Sequence, residues 1–185
     1  MQYGDKQTAT MDEALAAAEK AILADPERPE GYAITGKVMD WQGRIDEAAS
    51  QISRALERDK NYALGHSYMA EVLVDQTRWA QAQEEIDKAL ELDPNNVDIH
   101  RDYGYVLENQ GDYAGAATQY ETAVQLHPKL SYIRMALGRA YRANGRYQEA
   151  LDQFFAVSAI EPGNALVTYE AGRTYETFIG DLNSA

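Results

Sequence analysis

One spacing governs this chain. Ala14, Ala48, Ala82, Ala116 and Ala150 stand 34 residues apart, and the frame runs without insertion or deletion from residue 11 to about residue 178. Seven places after each comes Ala21, Ala55, Ala89, Ala123 or Val157. Twelve before the last four comes Gly36, Ala70, Gly104 or Gly138, and Gly172 continues that series. Twelve after come Pro26, Pro94, Pro128 and Pro162, with Lys60 the exception. A period of this length implies a stack of one supersecondary unit. Each unit has too little apolar surface to fold alone and is covered by its neighbours.

The unit reads as two helices. In "VDIHRDYGYVLENQ" the residues Val97, Tyr103, Val106 and Leu107 recur at helical spacing. Gly111 stops that helix, because glycine enters the left-handed conformation without a Cβ clash. A second helix, "AGAATQYETAVQL", ends before His127-Pro128, since the residue before proline is pushed out of the helical region. Helices of about 13 residues are about 20 Å long. Short connections make neighbours antiparallel. The recurrent Gly and Ala places let two helix axes approach where a large side chain would hold them apart.

Composition excludes several functions. Seventeen basic against 30 acidic side chains give a formal charge of −13, which disfavours nucleic acid because phosphate is repelled. A hydrophobic fraction of 45% is enough for a packed core. The absence of cysteine removes disulfides, thiolate nucleophiles and cysteine-bound zinc. No apolar run is long enough to span a bilayer, so no direct membrane insertion is expected. The opening "MQYGDKQTAT" lacks the features of a signal peptide, and the expected compartment is the cytoplasm.

Catalytic chemistry is hard to assemble from these residues. His66 and His100 lie one period apart, and neither has a second ligand three or four places on; packing is their expected role. His127 stands at a helix end, where a cap is expected rather than a base. The scattered serines sit in no nucleophile elbow. "LDPNNVD" lacks the glycine and closing glutamate of a calcium loop and reads as a turn between units. Glu84, Glu85 and Asp87 read as a solvated helix face. No enzyme, cofactor or metal site is expected.

The pattern resembles the tetratricopeptide repeat (TPR), a 34-residue helix–turn–helix unit. Its aromatic, Leu, Gly, Tyr, Ala, aromatic, Ala and Pro places are met in repeat 29–62 by Tyr32, Gly36, Ala48, Ile52 and Ala55, with Thr35, Met39 and Lys60 departing. Repeat 63–96 supplies Met69, Ala70, Leu73, Ala82, Ile86, Ala89 and Pro94. Repeat 97–130 supplies Gly104, Leu107, Ala116, Tyr120, Ala123 and Pro128, and repeat 131–164 supplies Leu137, Gly138, Tyr141, Ala150, Phe154 and Pro162. The resemblance implies an all-α, right-handed superhelical solenoid of antiparallel helix pairs. Residues 1–185 then form one array. Residues 11–28 match only a second helix, and residues 165–185 match a truncated first helix.

The resemblance also implies a concave groove lined by the first helices, which receives an extended peptide or a helix. Its places fall on Lys37 and, nearby, Tyr68 in the N-terminal half. In the C-terminal half they fall on Arg101, Tyr105, Tyr132, Met135, Arg139, Arg142, Tyr169 and Arg173. Arginine forks suit carboxylates, and tyrosine adds rigid amphipathic area, so the implied partner is a protein or peptide with an acidic segment. The competing reading pairs these arginines with Asp98, Asp102, Glu108, Glu170 and Glu176. Neither the carboxylate clamp of the chaperone-binding members nor the asparagine ladder of the glycosyltransferase-linked members is present. The places that would carry them hold Ala33, Lys37 and Tyr68 in the first case. In the second they hold Ile34, Tyr68, Asp102, Ala136 and Glu170. The expected function is a non-catalytic adaptor or scaffold. Two alternatives stand beside it: homo-oligomeric assembly through open solenoid ends, and a docking or regulatory module of a larger enzyme or multidomain protein.

Overall fold

The computed structural model describes the backbone of residues 2–184 and the side-chain surroundings of residues 10–180; the side chains of residues 1–9 and 181–185 lie outside the described residues. Ten α-helices and no strand occur among the described residues. In chain order they are α1 (Gln2–Ala24), α2 (Pro29–Trp41), α3 (Ile45–Arg58), α4 (Ala63–Asp75), α5 (Trp79–Leu92), α6 (Val97–Asn109), α7 (Tyr113–Leu126), α8 (Ser131–Ala143), α9 (Tyr147–Ile160) and α10 (Ala165–Ser184). From α2 to α9, helices of 13 and 14 residues alternate. The chain forms two compact units, Met1–Pro94 and Asn95–Ala185.

In the first unit α2 packs against α1 and α3, and α4 against α2, α3 and α5. Its core joins Met39, Ala48, Ile52 and Val72, beside a smaller cluster of Tyr32, Ala33 and Ala55. In the second unit α7 packs against α6 and α8, and α9 against α8 and α10. One continuous core there includes Tyr120, Ile133, Leu137, Phe154 and Val157.

The small places have the mechanical role that the period implies. A Cβ on Gly104 would stand 2.5 Å from the ring of Tyr120, and one on Gly36 would stand 2.5 Å from Ile52. Gly138 faces the ring of Phe154 in the same way. Each glycine is thus a notch that receives the large residue of the second helix of its own pair. Gly104→Leu is expected to cost roughly 1–3 kcal/mol by overpacking. Thermal unfolding at the wild-type temperature would sink that assignment.

Each turn between paired helices closes in the same way. Gly43, Gly111 and Gly145 adopt φ of 75°, 82° and 73°. The next N–H reaches back to a carbonyl five residues earlier: Arg44 to Met39 at 2.9 Å, Asp112 to Leu107 at 2.9 Å and Arg146 to Tyr141 at 2.9 Å. These are Schellman closures, which satisfy the last carbonyls of the first helix. Thr77 makes the same closure at φ 59° without being glycine, and Arg78 bonds to Leu73 at 2.8 Å. A β-branched residue is strained there. Thr77→Gly should raise stability by about 1 kcal/mol, read as a higher urea midpoint.

Ile179 occupies that turn place in α10, and there the chain does not turn. The helix runs on for 20 residues, to Ser184. Isoleucine disfavours the left-handed conformation, whereas at Thr77 the packing of α5 on α4 holds a β-branched residue in it. Residues 165–184 thus form one continuous helix.

Candidate functional site

The groove places of the second unit lie on α6, α8 and α10, and the structure divides their side chains into two groups. Arg101 and Arg142 are tied down. Arg101 donates to Asp102 through Nε at 2.7 Å and through a terminal nitrogen, and to Asp98 at 3.1 Å. Asp102 is fully buried. Burial works against the Arg101 charge, but Asp102 and then Asp98 outweigh it, and the guanidinium is held above its ordinary pKa. One Arg142 nitrogen meets three acceptors on α10: the Glu170 carboxylate at 2.6 Å, the Glu170 carbonyl at 3.2 Å and the Thr174 hydroxyl at 3.4 Å. Arg142 is therefore a clamp between α8 and α10. These two arginines follow the competing, paired reading.

Arg139 and Arg173 are presented. Arg139 lies 3.7 Å from Glu170, beyond hydrogen-bond distance, with its side chain 39% exposed. Arg173 is exposed and lies over the Tyr169 ring at 5.8 Å. Beside them, Tyr132, Tyr169 and Leu166 are about half exposed. Tyr105 is half-buried on α6. Met135, expected at the groove, is 4% exposed and belongs to the core. Glu108 accepts from the Tyr120 hydroxyl at 2.9 Å. Burial first, and Glu108 second, push that phenol well above its ordinary pKa, so it stays a neutral donor.

Lys37, expected to face a partner, is interior in the first unit. Its ammonium pairs with Glu71, and the two side chains are 7% and 11% exposed. The rings of Tyr68 and Trp41 flank it at 4.9 and 5.5 Å. Tyr68 thus packs on Lys37.

Sequence reasoning placed Glu170 among the partners of the arginines but missed its central position, and it did not weigh Thr174. The signal available was periodicity alone: Glu170 occupies the place held by Asp102, and both are buried acids. Two of the three histidines link paired helices. His66 meets Glu85 at 2.5 Å and the Lys60 carbonyl at 2.9 Å, and His100 meets Gln119 at 2.8 Å. Glu85 is consequently half-buried rather than part of a solvated face.

The sequence profile of the tetratricopeptide repeat matches residues 69–131 and 109–165, together just over half of the chain. The chain belongs to the tetratricopeptide repeat family, and its fold is an all-α solenoid of antiparallel helix pairs. Among solved structures it is similar to TTC0263, a thermophilic TPR protein of Thermus thermophilus. That match has a TM-score of 0.80 and 22% identity, over 92% of this chain and 93% of that one. It is also similar to YrrB, a TPR protein with an unusual peptide-binding site, at TM-score 0.62 and 28% identity over 88% and 84% of the two chains. A third similar structure is MamA, at TM-score 0.61 and 23% identity over 89% and 98%. No curated protein sequence matches the chain. The fold is that of a protein-interaction scaffold, and members of the family are in general non-catalytic and bind protein or peptide partners. Among the described residues, no helix is long and apolar enough to cross a membrane.

Proposed function

We propose that the chain is an adaptor that holds an extended, acidic segment of a partner protein against α8 and α10. One observation carries this reading. Two guanidinium groups without a hydrogen bond among the described residues, Arg139 and Arg173, stand on the same helices as the half-exposed Tyr132, Leu166 and Tyr169. Arginine forks bind carboxylates in a bidentate manner, while tyrosine and leucine take up intervening apolar side chains. The similarity to YrrB, a TPR protein with an unusual peptide-binding site, supports the peptide part of this reading. Arg101 and Arg142 hold the wall in shape rather than contact the ligand.

The test is a paired capture from host lysate. One bait is the wild-type chain; the other carries Arg139→Glu and Arg173→Glu, with circular dichroism showing both folded. Partners held by the first and lost by the second are expected, and acidic segments should be enriched in the protected regions of those partners. Equal capture by both baits, or no capture, overturns the reading.

A second reading, assembly of copies, is favoured by one feature of α10. Gly172 continues the notch series, yet among the described residues a Cβ there would meet nothing within 4 Å, and Tyr175 and Ile179 near it are about half exposed. An empty notch beside exposed apolar side chains suits a docking helix. A mass that stays monomeric across a hundred-fold concentration range would remove it.

A further inference from the structure

The arginine wall already contains a carboxylate. Glu170 projects from α10 into the cluster with its side chain 7% exposed. One oxygen is held by Arg142 at 2.6 Å, and the other lies 3.7 Å from Arg139. Arg142 is also held by the Glu170 carbonyl and by Thr174, so its position does not depend on the carboxylate alone. Arg139 makes no hydrogen bond among the described residues, and its charge acts on Glu170 through space at 3.7 Å. An acidic side chain arriving at Arg139 therefore meets a cation with a fixed negative charge 3.7 Å behind it. The Glu170 carboxylate is buried and little screened, whereas the more exposed Arg139 is partly screened by salt, so the effect should be largest at low salt.

We propose that Glu170 is a built-in competitor for acidic ligands: its carboxylate occupies the arginine cluster and sets how tightly, and how selectively by charge, α8 and α10 hold an acidic segment. This rests on the acidic-segment reading above. Such an arrangement keeps binding reversible, and it rejects neutral or basic segments less strongly than an unoccupied arginine pair would. Glu176 supplies the comparison. It is exposed on α10 and carries the same charge, with no ion pair among the described residues.

The experiment measures binding of a fluorescein-labelled peptide of five alternating Glu-Leu pairs, by anisotropy at low and at physiological salt. Wild type, Glu170→Gln and Glu176→Gln are compared, each first shown to be folded by circular dichroism. Glutamine keeps the shape of Glu170 and an oxygen for Arg142 while removing the charge. Glu170→Gln is expected to bind about ten-fold more tightly, and Glu176→Gln within about two-fold of wild type. The gain should be smaller for a peptide of alternating Gln-Leu pairs. Equal affinities for wild type and Glu170→Gln, or equal gains from both substitutions, would overturn the proposal while leaving the acidic-segment reading intact. If the acidic peptide binds neither wild type nor Glu170→Gln, both fall together. Should Glu170→Gln fail to fold, Glu170→Asp draws the carboxylate back from Arg139 and is expected to tighten binding several-fold; weaker binding there would count against the idea.

Discussion

Phe154→Ala should lower stability by about 3–5 kcal/mol. Phe154 is fully buried, and its ring fills the notch left by Gly138. Alanine there removes the transfer free energy of the ring and leaves a cavity lined by side chains that already hold one another in place. Neighbours such as Ile133 and Val157 are also fully buried, so the hole cannot fill from solvent or from a mobile surface chain. A loss of this size is a large share of the roughly 5–15 kcal/mol that holds an ordinary domain together. Urea unfolding gives the magnitude, and native-state hydrogen exchange gives the place. Protection should fall first in α8 and α9. A loss below about 1 kcal/mol would mean that the two helices do not cross at Gly138.

Lys37→Met should be nearly as damaging, at about 3 kcal/mol, for a different reason. It leaves Glu71 buried with a negative charge and without its cation. The Lys37–Glu71 pair is largely dry, with side chains 7% and 11% exposed, so water cannot take over the role of the lysine. The rings of Tyr68 and Trp41 would also lose their cation. Removing both charges together, as Lys37→Met with Glu71→Leu, should recover most of the loss, because two apolar side chains need no desolvation. A double-mutant cycle read by thermal unfolding separates these contributions. Full stability in the single variant would place the pair at the surface.

The fold was legible because its causes are local and periodic. The alternation of paired helices, the notch at Gly36, Gly104 and Gly138, and the glycine closure at Gly111 follow from residue size and backbone freedom at fixed places in a 34-residue frame. The candidate site was legible only as a set of positions. Arg101, Arg139, Arg142 and Arg173 all stand at groove places, yet two are bound and two are presented. Spacing does not distinguish them, because an arginine side chain is long enough to choose between acids on its own helix and acids on the next.

By itself, then, the sequence determined the repeating unit, the pairing of helices and the family. Each of these depends on short-range sterics and on apolar side chains that recur in register. Tertiary structure decided the ionic partners. Arg142 finds Glu170 and Thr174 across 28 and 32 residues, Lys37 finds Glu71 across 34, and His66 finds Glu85 across 19. It also decided that α10 runs past Ile179 where its counterparts turn. Arg101 settles on Asp98 and Asp102 of its own helix, but for these other groups the distance to a partner is set by how the cores of their units pack the helices together.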